Sequence, residues 1–179
     1  RVQQLCARWA STGDPSQVQP DDPNISPQVS GAFPFGEQTS LSRYYEDLLD
    51  LYIFSYCTDI PDLSNAVILK WQETDYLHTW SIPDIQLVIK AFSHLPLTDR
   101  LSLYLTDYYA YLWDQTEWRS LKEYVPLRPG IEKFLYAVSR ARSPHMASKG
   151  DELLDEWCTY HVHVDKNEGK KCLETRDAL

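Results

Sequence analysis

Apolar residues return every three or four positions through most of the chain, which is the spacing of amphipathic α-helices. Residues 2–10 show it first, and residues 40–56 show it again behind a capping serine. A third stretch starts at Pro61, which suits the first turn of a helix, and fades near Thr79. We expect the second and third helices to pair as an antiparallel hairpin, because Ile60 and Pro61 break the chain between them.

Four more amphipathic stretches follow in the second half of the chain. Ser81 is placed to cap the first of them, with Pro83 and Asp84 in its opening turn. The next is strongly aromatic from Asp99 to about Tyr124 and must pack against a large apolar surface. The last two are marked by apolar residues at helical spacing, Ile131, Phe134, Leu135 and Val138 and then Leu153, Leu154 and Trp157. The predicted fold class is mainly α, with six to seven helices around one core.

Two segments of the chain lack the helical spacing. Residues 14–39 contain five prolines and no periodicity, so a flexible insertion is predicted there. Residues 159–164 alternate like a short strand, and residues 165–169 indicate a turn, which predicts a small C-terminal hairpin or turn. The chain thus divides into a short helix (1–13), the insertion (14–39), a helical hairpin (40–80), a helical extension (81–145) and a C-terminal helix with a Cys/His tail (146–179).

Charge and composition restrict the class of function. The chain has 26 Asp and Glu against 17 Lys and Arg, a net charge of -9, so nucleic acid and membrane surfaces are not expected partners. No apolar run reaches the roughly 20 residues of a membrane span. Four dispersed cysteines do not make a disulfide scaffold, so we expect reduced thiols in the cytoplasm or nucleus. The start at Arg1, with the single methionine at Met146, indicates a fragment of a longer protein.

The aromatic side chains of the fifth stretch have two interpretations. Tyr108, Tyr109, Tyr111, Trp113 and Trp118 could stack on bases or sugars, or they could pack in the core. Rings at helical spacing favour the core, and the acidic charge removes the electrostatic part of nucleic-acid binding. The scattered carboxylates of the chain likewise favour a solvated surface over a partner-binding patch.

Two segments of the chain resemble BTB/POZ domains. In residues 48–68 a helix ends at a polar turn, Ile60 and Pro61 restart the chain, and Leu63 follows, as near the end of that domain. Residues 5–13 resemble an earlier helix of the family that ends in Trp/Phe-Leu-Tyr-Thr-Gly, with Ala-Ser here in place of Leu-Tyr. The tail from Cys158 onward is similar to the ending of many fungal proteins of this type.

The resemblance implies the C-terminal part of a fungal BTB/POZ protein together with its helical extension. It implies scaffolding by binding other proteins, and in some members recruitment of a cullin-type ubiquitin ligase. It also implies that the first half of the domain, which normally forms the dimer interface, is not in this chain. Self-association therefore stays open.

Four residues near the C-terminus offer metal ligands, Cys158, His161, His163 and Cys172, in a Cys-x2-His-x-His-x8-Cys arrangement. Two thiolates and two imidazoles suit tetrahedral Zn²⁺, and four protein ligands would make the site structural. Cys158 and His161, at i and i+3, are expected to share a face at the end of the seventh helix, and a turn at residues 167–169 is expected to bring Cys172 back to them. The alternative is two hydrogen-bonded histidines and two buried thiols without metal.

An enzymatic alternative uses some of the same residues. His161, His163 and Asp165 form a His-x-His-x-Asp segment that resembles the start of the metal-binding motif of metallo-β-lactamase-type hydrolases. Lys166 stands where that family has a further histidine, and the strand-rich pattern of that fold is missing. We therefore predict a non-enzymatic scaffold that binds other proteins, with no catalytic residues and with structural zinc as its one cofactor.

Overall fold

The computed structural model describes residues 2–12, 40–77, 84–112, 130–142, 157–163 and 165–177. Within these ranges the chain is helical and has no strand, so the mainly α class is confirmed. The described residues form seven α-helices and one 3-10 turn: α1 (Val2–Thr12), α2 (Ser40–Thr58), α3 (Pro61–Leu77), α4 (Ile85–His94), α5 (Arg100–Leu112), α6 (Ile131–Ala141), the 3-10 turn (Trp157–Tyr160) and α7 (Lys166–Asp177). None of the described helices is both long and apolar enough to cross a membrane.

The helices divide into two compact units, Arg1–Ser81 and Ile82–Leu179, where the sequence predicted one core. The first unit is built on α2 and α3, which pack along each other, and α1 contacts α2. Ser55 near the end of α2 bonds Ser64 near the start of α3, with the hydroxyl oxygens 2.7 Å apart. At the other end the hydroxyl of Tyr45 donates to the buried carboxylate of Asp75. The two helices are therefore antiparallel, as predicted.

The link between α2 and α3 is a helix C-cap made without glycine. Asp59 has a positive φ of 55°, the left-handed conformation that glycine adopts most readily. This conformation lets the Ile60 amide donate to the Ser55 carbonyl at 2.9 Å and the Asp59 amide donate to the Tyr56 carbonyl at 3.5 Å. These are the two hydrogen bonds of a Schellman motif. Pro61 then opens α3 because its missing N–H would lack a helical partner there in any case.

Replacing Asp59 with glycine is expected to stabilise the first unit by about 0.5–1 kcal/mol, because the left-handed conformation no longer crowds a Cβ. The matched control is Asp62→Gly, which makes the same aspartate-to-glycine substitution in the first turn of α3. That change is expected to cost about 0.5–1 kcal/mol, because glycine is a poor helix former and an acidic group at a helix N-terminus is favourable. Urea unfolding followed by circular dichroism measures the free energy of unfolding of both variants. A change in the same direction for both would contradict this account.

The second unit packs α4, α5 and α6 around one phenylalanine. Phe134 of α6 is fully buried. Its ring centroid lies 5.4 Å from that of Phe92 in α4 and 5.0 Å from that of Tyr109 in α5. Tyr104 and Tyr108 of α5 are buried as well, which fits the core interpretation of this aromatic face. Of the other rings at issue, Tyr111 is exposed, whereas Trp113 and Trp118 lie outside the described residues.

Several boundaries in the second unit differ from the predictions. Asp84 caps α4 by accepting the Gln86 amide at 2.8 Å, so it precedes the helix instead of lying in its first turn. Asp99 caps α5 in the same way, because its Oδ1 accepts the Leu101 amide at 2.9 Å. Other predictions fall outside the described residues: the cap at Ser81, the proline at Pro83, the insertion over 14–39, the extension of α5 over 113–124 and the helix around Leu153 and Leu154.

The predicted strand at residues 159–164 is wrong for the part that the structure describes. Residues Trp157–Tyr160 form the 3-10 turn, and Tyr160 and His161 are buried next to each other, which an alternating strand does not allow. Residues 165–169 open α7 rather than forming a free turn. Asp165 caps that helix, because its Oδ1 accepts the amides of Asn167 at 2.8 Å and Glu168 at 2.9 Å.

Candidate metal centre

The four cysteine and histidine residues meet where the 3-10 turn packs against α7. Cys158 lies in the turn, and the His161 amide closes it by donating to the Cys158 carbonyl at 3.3 Å. His163 follows two residues later. Cys172 projects from α7 and is buried, in a helix whose other described side chains are mostly exposed. The start of α7, fixed by the Asp165 cap, thus sets the position of Cys172 against the turn.

The ligand atoms of these four residues are close enough to surround one ion. One atom from each of Cys158, His161, His163 and Cys172 lies within 4.8 Å of all the others. Cys172 Sγ is 3.5 Å from His161 Nδ1. Bond lengths of about 2.3 Å to sulfur and 2.0–2.1 Å to nitrogen place neighbouring tetrahedral ligands about 3.3–3.8 Å apart. The 4.8 Å limit lies only about 1–1.5 Å above these tetrahedral spacings, so the four atoms are near the distances that one ion requires.

His163 carries the clearest sign of a missing partner. Both of its ring nitrogens are shielded from solvent, and neither has a hydrogen-bond partner among the residues that the structure describes. Buried polar atoms are nearly always paired, because desolvation without a new bond is costly. The ring stands edge-on to that of His161, with centroids 5.8 Å apart, and Gly169 of α7 leaves room beside it. A bound metal would supply the partner that the described residues do not.

The other imidazole is held in the form that binds metals. Burial lowers the pKa of His161 to about 4, and the positive charges of His163 and Arg100 act in the same direction. His161 is therefore neutral at physiological pH. A neutral ring keeps a lone pair for coordination, so the site does not have to lose a proton from this residue before binding.

The lowered pKa makes the metal-free protein sensitive to acid. Between about pH 6.5 and 4 the unfolded chain protonates His161 while the folded chain does not. The unfolded state then binds more protons, so the free energy of unfolding is expected to fall as the pH falls through this window. Urea unfolding of the chelated protein at pH 7 and pH 5 measures the loss.

Two variants test whether His161 causes this pH dependence. His161→Gln is expected to reduce the difference between pH 7 and pH 5, whereas His94→Gln, at an exposed position, should leave it unchanged. A full pH dependence in the His161→Gln protein would show that other groups cause it. The imidazole resonances of His161 should titrate near pH 4 in the folded, metal-free chain.

Tyr160 links the metal centre to α5. It lies between Cys158 and His161 in sequence and is buried. Its hydroxyl donates to Asp107 Oδ2 at 2.7 Å, and its ring meets that of Tyr104 edge-on at 5.2 Å. The geometry of the cluster is thus tied to the aromatic face of α5 within the second unit.

The structure brings together all four residues that the sequence singled out. It does not bring Asp165 to them as a ligand, because Asp165 caps α7 and is exposed. Sequence reasoning missed Tyr160 and Asp107, whose contact joins positions 53 residues apart. The one signal for it was a tyrosine inside the Cys/His segment, which is common in cores and points to no particular partner.

No protein family, curated protein or solved structure matches the chain. The resemblance to BTB/POZ domains therefore stays a prediction. The chain has a helical fold and, within its described residues, a Cys2His2-like cluster able to hold a metal ion. A functional assignment thus depends on the geometry of this cluster and on the chemistry of the helical surface.

Proposed function

We propose that the chain is a non-enzymatic protein-interaction module whose C-terminal segment is fixed by one structural Zn²⁺ bound to Cys158, His161, His163 and Cys172. The observation that carries the proposal is the convergence of four thiol and imidazole groups, among them His163, whose two ring nitrogens are shielded from solvent and have no hydrogen-bond partner among the described residues. Without a metal, the two ring nitrogens of His163 would stay shielded from solvent without a partner, at a cost. With one, each gains a ligand bond.

The ligand set supports zinc among the common cations. Mg²⁺ and Ca²⁺ prefer oxygen ligands, and no carboxylate of the described residues belongs to the cluster. Sulfur and nitrogen ligands in a two-and-two set suit tetrahedral Zn²⁺. Reduced thiols are needed for this chemistry, which agrees with the cytoplasmic or nuclear location expected from the sequence.

The same geometry favours a structural role over catalysis. Catalytic zinc sites keep one position open for water or substrate, whereas four protein ligands fill the tetrahedron. The metal-dependent hydrolase alternative needs Asp165 beside His161 and His163, but Asp165 Oδ1 accepts two backbone amides at the start of α7. The side chains that complete the group around the two histidines are instead those of Cys158 and Cys172.

The interaction role rests on what the described surface offers. Several large apolar side chains remain exposed: Tyr56, Tyr76, Leu77, Leu103, Tyr111, Tyr136, Val162 and Leu173. Tyrosine is enriched in protein interfaces because its ring is apolar and its hydroxyl can pair with polar groups. Binding to other proteins, as a BTB/POZ-like scaffold and adaptor for a ubiquitin ligase, is the function that we propose for this surface.

Metal analysis of protein purified without a histidine tag tests the zinc site. We expect about one zinc per chain, and loss of that zinc in a Cys158→Ser, Cys172→Ser variant. The matched control replaces the two cysteines outside the cluster, Cys6 and Cys57, and should keep its zinc. A ratio near zero, or an unchanged ratio in the first variant, would return the four residues to a metal-free interpretation.

The interaction role is tested separately, by capture of specific proteins from fungal extract on immobilised, zinc-loaded chain. Excess free chain should compete for them, and purified chain should show no hydrolytic turnover. Hydrolysis that disappears in His163→Ala while the far-UV spectrum stays helical would instead support the metal-dependent hydrolase.

A further inference from the structure

The two cysteines of the metal centre lie close enough to react with each other. Their sulfur atoms are within 4.8 Å, and a disulfide brings sulfurs to about 2.05 Å, so closure requires less than about 3 Å of movement. One sulfur belongs to a short 3-10 turn and the other to α7. Disulfide formation would remove both thiolate ligands at once and leave two imidazoles, too few to fill a tetrahedral site.

The two sulfurs differ in access to solvent. Cys158 is partly exposed, whereas Cys172 is buried. A small oxidant such as hydrogen peroxide therefore reaches Cys158 first. Cys172 is then placed to attack the oxidised sulfur, the arrangement of a reactive cysteine beside a resolving one.

We infer that this cluster is a peroxide-sensitive switch, in which a Cys158–Cys172 disulfide forms and the metal is released; the inference rests on the zinc site proposed above. The Cys158 thiolate attacks one oxygen of the peroxide, the O–O bond breaks, and hydroxide leaves to give a sulfenic acid. The Cys172 thiolate then attacks that sulfur, the S–O bond breaks, and a second hydroxide leaves. Two protons convert the hydroxides to two waters, the thiolates lose two electrons to the peroxide, and Zn²⁺ departs.

The test uses the full chain with Cys6 and Cys57 replaced by serine, so that the two cluster thiols are the only ones present. Zinc content is measured first. Hydrogen peroxide is then added with a chromogenic zinc indicator, followed by thiol titration and mass mapping of the digested chain. We expect one zinc released for every two thiols lost, a peptide pair joined through Cys158 and Cys172, and recovery of zinc binding after dithiothreitol.

The outcomes separate this inference from the proposed zinc site. Absence of zinc before oxidation would overturn both. Zinc that is present but stays bound in peroxide would overturn the switch alone, and so would release accompanied by sulfinic acid in place of the disulfide. Cys158→Ser protein, which lacks the reactive sulfur, should show no intramolecular disulfide, and Cys172 should stay reduced at the peroxide concentration that oxidises the parent.

Discussion

Replacing Gly130 with alanine is expected to destabilise the second unit by about 3 kcal/mol, at the upper end of the usual cost of overpacking. A Cβ at this position would lie 2.3 Å from the Ile89 carbonyl oxygen, 2.5 Å from Ser93 Oγ and 3.0 Å from the Ser93 amide nitrogen. Two of these atoms belong to the backbone of α4, and the third is held by its own bond to Ile89 at 2.8 Å. None can move away without disturbing α4, so α6 must shift instead.

The backbone conformation of Gly130 isolates this effect. Its φ of -102° and ψ of -29° suit any residue, so the substitution creates no torsional strain and acts through contact alone. A shift of α6 would also pull Phe134 away from Phe92 and Tyr109. Urea unfolding should show the loss, and near-ultraviolet circular dichroism should report the changed ring packing.

Gly169→Ala is the matched control for Gly130→Ala. A Cβ there would meet the His163 ring at 3.5 and 3.7 Å, which is ordinary van der Waals contact. Because Gly169 lies inside α7, alanine should stabilise that helix by about 0.5–1 kcal/mol. Replacing glycine with alanine is thus expected to destabilise the protein at position 130 and to stabilise it at position 169. A stable Gly130→Ala protein would contradict the close approach of α6 to α4.

The sequence predicted best the features that depend on local chemistry. The α2–α3 hairpin follows from apolar spacing and the Ile60-Pro61 break, both readable within about twenty residues. The strand at residues 159–164 was wrong because alternation over so few residues cannot be told from a tight turn. There the described residues begin with a 3-10 turn, which the His161 amide closes by donating to the Cys158 carbonyl.

Features that depend on tertiary contact were not accessible. Nothing in the residues around Gly130 indicates that α4 passes within contact of it. The division into two units depends on which helix faces meet, and apolar spacing does not specify that. For the metal centre, residue types and spacing gave the four ligands, but the unpartnered nitrogens of His163 and the bond from Tyr160 to Asp107 required coordinates.

Removing the metal is expected to loosen the second unit around the cluster and to leave the α2–α3 hairpin intact. A ligand that binds only the folded state stabilises it by about 2.7 kcal/mol at 100 times its dissociation constant, and by about 4 kcal/mol at 1,000 times. Chelation withdraws this stabilisation. The hairpin has its own buried side chains within the first unit, so it does not depend on the ion.

Hydrogen exchange of the full chain, with zinc or with chelator, measures where the stability is lost. Amides of residues 157–177 should exchange faster without metal, and those of α5 should follow in part, because Tyr160 donates to Asp107 and packs on Tyr104. Amides of α2 and α3 should be unchanged.

Tyr160→Phe separates the link to α5 from the binding of the metal. It keeps the ring and removes the hydroxyl, so zinc should still bind while chelation affects α5 less. The lost hydrogen bond to a carboxylate should itself cost about 1.5–3 kcal/mol, partly offset because Asp107 Oδ2 can turn to water. Identical exchange with and without chelator in the parent chain would mean that the cluster holds no metal, or that the ion stabilises nothing beyond its ligands. Faster exchange in α2 and α3 would contradict the expectation that the hairpin does not depend on the ion.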